Sequence, residues 1–246
     1  MAGHSQFKNI MHRKGRQDAA KAKIYTKLIR EITTAARLGS ADPASNPRLR
    51  AAVIAARDAN MTRDTIDRAI KRGAGNEADA NYDEVRYEGY GPGGVAVIVE
   101  ALTNNRNRTA GEVRSIFAKH GGNLGETNSV SFMFDRVGEF RFPLKAGTAD
   151  EVLEKAIDAG ADDMSREGDV FEIITDPASF NKVQEALAAN NIPTVSAEIT
   201  KLPKTLQDAD TEAGQKVMRL MEALDDHDDV QYVYSNLNVT EAMVAE

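Results

Sequence analysis

The run Val95-Ala96-Val97-Ile98-Val99-Glu100-Ala101-Leu102 most narrows what this chain can fold into. It is nearly unbroken in apolar and β-branched side chains, the pattern of a strand buried on both faces. Such a strand needs neighbours and cover. Residues 81–136 offer only strand, helix and strand, with the helix running through Val113, Ile116 and Phe117 to Gly121. One helix covers a sheet poorly. The tail supplies the missing parts: a helix opening at Thr211 with Val217, Leu220, Met221 and Leu224, then a strand marked by Val230, Tyr232 and Tyr234. The expected middle domain is therefore discontinuous, 81–136 plus 205–246, with 137–204 inserted.

The glycines ahead of this strand (Gly89, Gly91, Gly93 and Gly94) invite a phosphate-loop reading. A P-loop or dinucleotide loop follows its strand and leads into a helix, and a P-loop carries a lysine. Here the glycines precede the strand and no lysine accompanies them, so a tight turn accounts for them. After the strand, Arg106 and Arg108 stand among asparagines at a helix start. Such a loop can hold phosphate or simply cap the helix. Val130, Phe132 and Phe134 then alternate with polar neighbours, which reads as one more strand.

The inserted segment has its own cadence. Phe140 and Phe142 mark a strand, and Thr148 with Glu151 forms a capping box for a helix. Val170–Ile174 reads as a strand, Asp176-Pro177 opens a helix through Phe180, Val183 and Leu187, and residues 193–199 read as a last strand. Glu185-Ala186-Leu187 and Glu222-Ala223-Leu224 echo one another, suggesting two lobes of similar build.

Charge divides the chain. Residues 1–80 carry 16 basic and 8 acidic side chains, whereas the remainder carries 15 and 30, giving the whole a net charge of −7. A basic head on an acidic body suggests binding through one end, with phosphate the natural counterpart. Lys8, Arg13, Lys14 and Arg16 crowd the start. Residues 18–38 follow as a helix with Ala20, Ile24, Leu28, Ile32 and Ala35 on its apolar face. Lys23, Lys27, Arg30 and Arg37 fall near one line on the opposite side. They are candidate phosphate contacts, and reversing the first three is expected to weaken binding while leaving the thermal transition nearly unchanged. Two more helices follow, one begun by Asn46-Pro47 and one capped by Thr62 and ended at Gly73. These three make a compact helical domain over residues 1–80.

Other chemistries find little support. The chain has no cysteine, which excludes disulfides, a thiolate nucleophile and cysteine-based metal sites. His4 and His12 are too far apart for a helical zinc pair, and the acidic run from Asp225 to Asp229 reads as a solvated turn. No nucleophile, zinc or calcium motif appears, so no enzyme, catalytic residue, metal or cofactor is expected. No apolar run reaches a membrane span, and no apolar leader opens the chain. A cytoplasmic protein with no membrane partner is the expectation.

Three stretches carry more than composition: MAGHSQFKNIMHRK, YEGYGPGGVAVIVEALTNNRNRTAGEVR and KHGGNLGETNSVSFMF. Together they resemble the YebC/PmpR family, bacterial regulators with mitochondrial translational activators among their relatives. Asn128 departs from the glycine many members have before Ser-Val. Asparagine also tolerates left-handed backbone angles, so the turn is expected to survive. The resemblance implies an α+β protein of three domains, an N-terminal three-helix bundle followed by two α/β-sandwich-like domains, the middle one discontinuous. It also implies a cytoplasmic, probable DNA-binding transcriptional regulator, with a ribosome-associated translation factor that binds ribosomal RNA and relieves stalling as the alternative. No base-reading helix and no dimer face are evident in the sequence, which leaves ribosomal RNA a serious rival to DNA.

Overall fold

The computed structural model describes residues 17–75, 80–143, 149–167, 170–190, 192, 194 and 196–244. The chain divides into two compact units, one of residues 132–206 and the other of the preceding chain joined by Gln207 onward.

The second unit begins with three helices, α1 (Gln17–Leu38), α2 (Pro47–Asp58) and α3 (Arg63–Ala74). Asn46 caps α2, its side chain accepting the Leu49 N–H at 3.1 Å while its amide donates to Ala35 O at 2.8 Å. That cap thus also binds the end of α1. Ile32, Leu49, Val53 and Ile66 form the apolar centre of the bundle. Gly73 does not end α3. It lies inside the helix against α1, where a Cβ would come within 2.2 Å of Thr33 O, so the two backbones meet there. Leu28, Ile32 and Ala35 of the expected apolar face of α1 do pack in the bundle, but its N-terminal half differs. Ile24 is 43% exposed, and Tyr25 packs instead, its hydroxyl donating to Asn60 O at 2.7 Å.

Next comes the strand that organises the domain, β2 (Ala96–Thr103), preceded by β1 (Asp83–Tyr90). The pair is an antiparallel hairpin from Asp83↔Thr103 to Tyr90↔Ala96. The turn between them uses Gly93 and Gly94, both at φ +73°, the left-handed region glycine enters without strain. After α4 (Arg106–Lys119) and β3 (Asn123–Leu124) the chain leaves this sheet, returning with α7 (Thr211–Asp225), β8 (Val230–Ser235) and α8 (Glu241–Val244). The strand order β3-β1-β2-β8 places β2 inside the sheet, with the tail's strand at its edge. Val97 and Val99 pack with Val113 and Phe117 of α4 and Leu220 and Leu224 of α7.

One buried side chain gathers the backbone of residues 128–131. Glu88 accepts the backbone N–H groups of Asn128 (3.0 Å), Val130 (2.9 Å) and Ser131 (2.8 Å). Burial alone would raise its carboxyl, but these three donors and the Arg86 guanidinium hold it below the usual range. Asn128 takes φ +67°, as an asparagine can, and its side chain accepts from Arg86 at 2.9 Å.

The unit of residues 132–206 has the order β-α-β-β-α-β: β4 (Phe134–Pro143), α5 (Ala149–Ala159), β5 (Asp163–Glu167), β6 (Val170–Thr175), α6 (Phe180–Ala189) and β7 (Ser196–Pro203). Its antiparallel sheet runs β5-β6-β4-β7, a split β-α-β arrangement. Phe140, Phe142, Phe171 and Ile173 pack under the helices, and the Phe140 and Phe180 rings stack with centroids 4.7 Å apart. The strand expected around Val130–Phe134 is replaced by a single 3₁₀ turn, Ser131–Met133, which leaves Phe132 65% exposed. Phe134 opens β4 instead, so an expected boundary between 136 and 137 would cut a continuous strand. Thr148 of the expected capping box lies outside the described residues.

Candidate nucleic-acid interface

Of the ten basic side chains singled out in the sequence, Lys8, Arg13, Lys14 and Arg16 lie outside the described residues. Lys23, Lys27 and Arg30 do form one row on α1, and the row faces the acidic turn between α7 and β8. Lys23 Nζ is 2.5 Å from Asp226, and Lys27 Nζ is 2.7 Å from Asp225. Arg30 pairs with Asp229, donates to Leu102 O at 3.0 Å and stacks over the Tyr82 ring. A second tie comes from Arg48 on α2, which bridges Glu31 of α1 and Glu84 of β1. Burial works against the Arg48 charge, and the two carboxylates more than restore it. Arg37 donates to Gly75 O at 3.4 Å, at the far end of the bundle.

Asp229 is the hub. Only 3% of its side chain is exposed, and it accepts from Thr109 at 2.6 Å, Arg108 at 2.8 Å and Thr103 at 3.3 Å besides Arg30. Burial alone would raise its carboxyl, but the hydrogen bonds of Thr109, Arg30 and Arg108 hold it far below the usual carboxylate range. Asp229 in turn raises the Arg108 guanidinium. The expectation that the Arg106–Arg108 loop could hold an anion thus has a specific answer. An anion sits there, and it is the protein's own carboxylate. Arg108 is committed to it, while Arg106 is exposed and makes no ion pair among the described residues.

The acidic run is correspondingly not a solvated turn throughout, since Asp229 is buried and Asp225 and Asp226 are paired. Glu112, His227 and Asp229 bring possible ligand atoms within 4.8 Å of one another. The arrangement suits hydrogen bonds better than a cation. His227 Nδ1 accepts the Asp229 N–H at 3.1 Å, so Nε2 carries the proton and donates to Glu112 at 2.8 Å. Two guanidiniums already neutralise the Asp229 oxygens.

Other cations face outward. On α2, Arg50, Ile54 and Arg57 follow at i, i+4 and i+7, with Ile54 44% exposed between the two arginines. On α3, Arg68 and Lys71 are exposed. None of these four cations has an acidic partner among the described residues. The sequence held a signal for them: α2 carries Arg48, Arg50 and Arg57 with Asp58 as its one acid, and the buried positions Leu49, Ala52, Val53 and Ala56 leave Arg50 and Arg57 outside.

Comparison with known proteins covers nearly the whole chain. A family model described as the TACO1/YebC protein N-terminal domain matches residues 5–76, and one described as the TACO1/YebC second and third domain matches residues 82–237. A crystal structure titled as a conserved hypothetical protein from Aquifex aeolicus is 46% identical, with a TM-score of 0.85 over 93% of this chain and 95% of that one.

Proposed function

This chain belongs to the TACO1/YebC family, and from that premise we propose that it is a cytoplasmic, nucleic-acid-binding regulator of gene expression. It acts as a binding protein, without catalytic turnover. DNA-bound transcriptional regulation is the primary form of this reading, because that is the usual description of the family. The observation that carries the binding is the outward set of cations on the helical bundle, Arg50, Arg57, Arg68 and Lys71, which have no acidic partner among the described residues, on an otherwise acidic protein. Phosphate contact by such side chains positions a nucleic acid without reading its sequence. Among the described residues no helix is long and apolar enough to cross a membrane, in keeping with this reading.

One feature favours a second form, association with ribosomal RNA. The outward row on α2 has no asparagine or glutamine and an apolar Ile54 at its centre, so its two arginines suit shape and backbone recognition. The test is ultraviolet crosslinking in growing cells with sequencing of attached RNA and DNA, beside the Arg50→Glu/Arg57→Glu variant. Reads at promoters that the variant loses support the regulator, and reads in ribosomal RNA that it loses support the translation factor. In vitro, the variant should bind either nucleic acid roughly tenfold more weakly at low salt. Its salt slope should be shallower by about 1.4–1.8, the loss of two phosphate contacts. Equal binding by variant and parent would remove the α2 row from the interface.

A further inference from the structure

Lys23 and Lys27 lie on the basic face of the N-terminal domain, yet both are occupied by carboxylates of the same chain. The occupants are unusual in their placement. Asp225 is the last residue of α7 and Asp226 is its C-cap, the end of a helix where the backbone dipole disfavours negative charge. Two acids there weaken their own helix, and the cations of α1 supply the compensation. The three pairs of the row also differ in kind. Arg30–Asp229 is buried and tied into Thr103, Arg108 and Thr109. Lys23–Asp226 and Lys27–Asp225 have their carboxylates about half exposed, at 54% and 49%. Lys27 itself is 18% exposed, but a carboxylate half open to water is readily rehydrated, so both pairs are open to competition by another anion.

We infer that the turn formed by Asp225 and Asp226 is an autoinhibitory stand-in for a phosphodiester backbone, covering Lys23 and Lys27 until a nucleic acid displaces it. Arg30–Asp229 is the pin that stays closed and keeps the row aligned. The two lysines are a reserve of positive charge, released when a phosphodiester takes the place of the two aspartate side chains, the backbone of the turn staying anchored by Leu224 and Asp229. The inference rests on the nucleic-acid reading above and adds to it a second, gated set of contacts. A chain so built binds less tightly than its cations allow, and any event that engages the Asp225–Asp226 turn elsewhere raises its affinity.

A double-mutant cycle on the full chain tests this. The four proteins are the parent, Asp225→Asn/Asp226→Asn, Lys23→Gln/Lys27→Gln, and the combination. The probes are a random-sequence DNA duplex and fragmented ribosomal RNA, so that the two sources of phosphodiester are told apart. Neutralising the acids is expected to tighten binding to the physiological probe about tenfold and steepen its salt slope by about 1.4–1.8, the share of two added phosphate contacts. In the lysine-free background the same neutralisation should change affinity less than twofold. An equal gain in both backgrounds is a general charge effect and overturns the inference, as does no gain in either. Parent binding without a gain leaves the nucleic-acid reading standing and removes the gate alone. If neither parent nor variants bind either probe, the nucleic-acid reading itself falls and the gate with it.

Discussion

Two buried carboxylates, Asp229 and Glu88, each gather donors that the chain brings from far apart. Asp229 joins α1, the end of β2 and the start of α4 through Arg30, Thr103, Arg108 and Thr109. Replacing it with alanine should cost about 2–3 kcal/mol. That is below the usual cost of breaking a buried pair because Arg108, at 45% exposure, can rehydrate. Its folded carboxyl titrates below its unfolded value, so its contribution is complete above the unfolded pKa of about 3.9 and fades as pH falls below it. Thermal melts of parent and Asp229→Asn should therefore differ most at neutral pH and converge in acid. Glu88 serves a loop in the same way. Glu88→Gln keeps one acceptor oxygen where the carboxylate had two, and should speed amide hydrogen exchange at Asn128, Val130 and Ser131 by about ten- to a hundredfold, from the loss of roughly 1–3 kcal/mol. Unchanged exchange at these amides would mean that the loop is held by other contacts.

At the scale of elements, α1 is a connector as much as a binding surface. One face packs on α2 and α3, and another carries the row to the acidic turn. This revises the expectation that reversing Lys23, Lys27 and Arg30 leaves the thermal transition unmoved. The triple reversal sets three acids against Asp225, Asp226 and Asp229, and should lower the melting temperature by several degrees. Most of that drop should appear in Arg30→Glu alone, because Asp229 is buried whereas the carboxylates of the two lysine pairs are half exposed and those pairs are worth about 0–1 kcal/mol each. A single variant as stable as the parent would show that the Arg30–Asp229 pair does not dock the helix. The strands missed from sequence have a shared reason. β1 is dense in Asp83, Glu84, Arg86 and Glu88, and β5 is an edge strand reading Asp-Met-Ser-Arg-Glu. Charged residues are depleted in strands on average, yet they suit edges and sheet faces that do not enter the apolar core.

For the whole molecule, contiguity decides what can fold alone. Residues 132–206 contain every strand of their sheet and both helices over its core. Excised, this unit should melt cooperatively and keep its dispersed amide spectrum. The preceding chain cut after Ser131 lacks α7 and β8, which supply Leu220, Leu224 and Val230 to the core around β2. Its helical bundle keeps its own core, but residues 81–131 should be unfolded or aggregate, and recover on addition of the 207–246 segment. A fragment ending at Ser131 in which β1, β2 and α4 are folded would contradict the central role given to the returning tail. The echo of Glu185–Leu187 and Glu222–Leu224 fits this plan, each lying in a helix that precedes the edge strand of its own sheet.

Much of the architecture was local in origin and so legible in the sequence. The caps at Asn46 and Thr62, the left-handed turn residues Gly93 and Asn128, the apolar run of β2 and the need for a second helix over it follow from side-chain size, backbone freedom and periodicity. The division of charge was legible for the same reason, since it is a sum over residues. Where each charge points was not. Lys27 and Asp225 stand 198 residues apart, as Arg30 and Asp229 stand 199 apart, and no periodicity links positions so distant. A helix row tells which side chains share a face. Only the packing of that helix against the returning tail decides whether the face meets solvent, nucleic acid or the protein's own carboxylates.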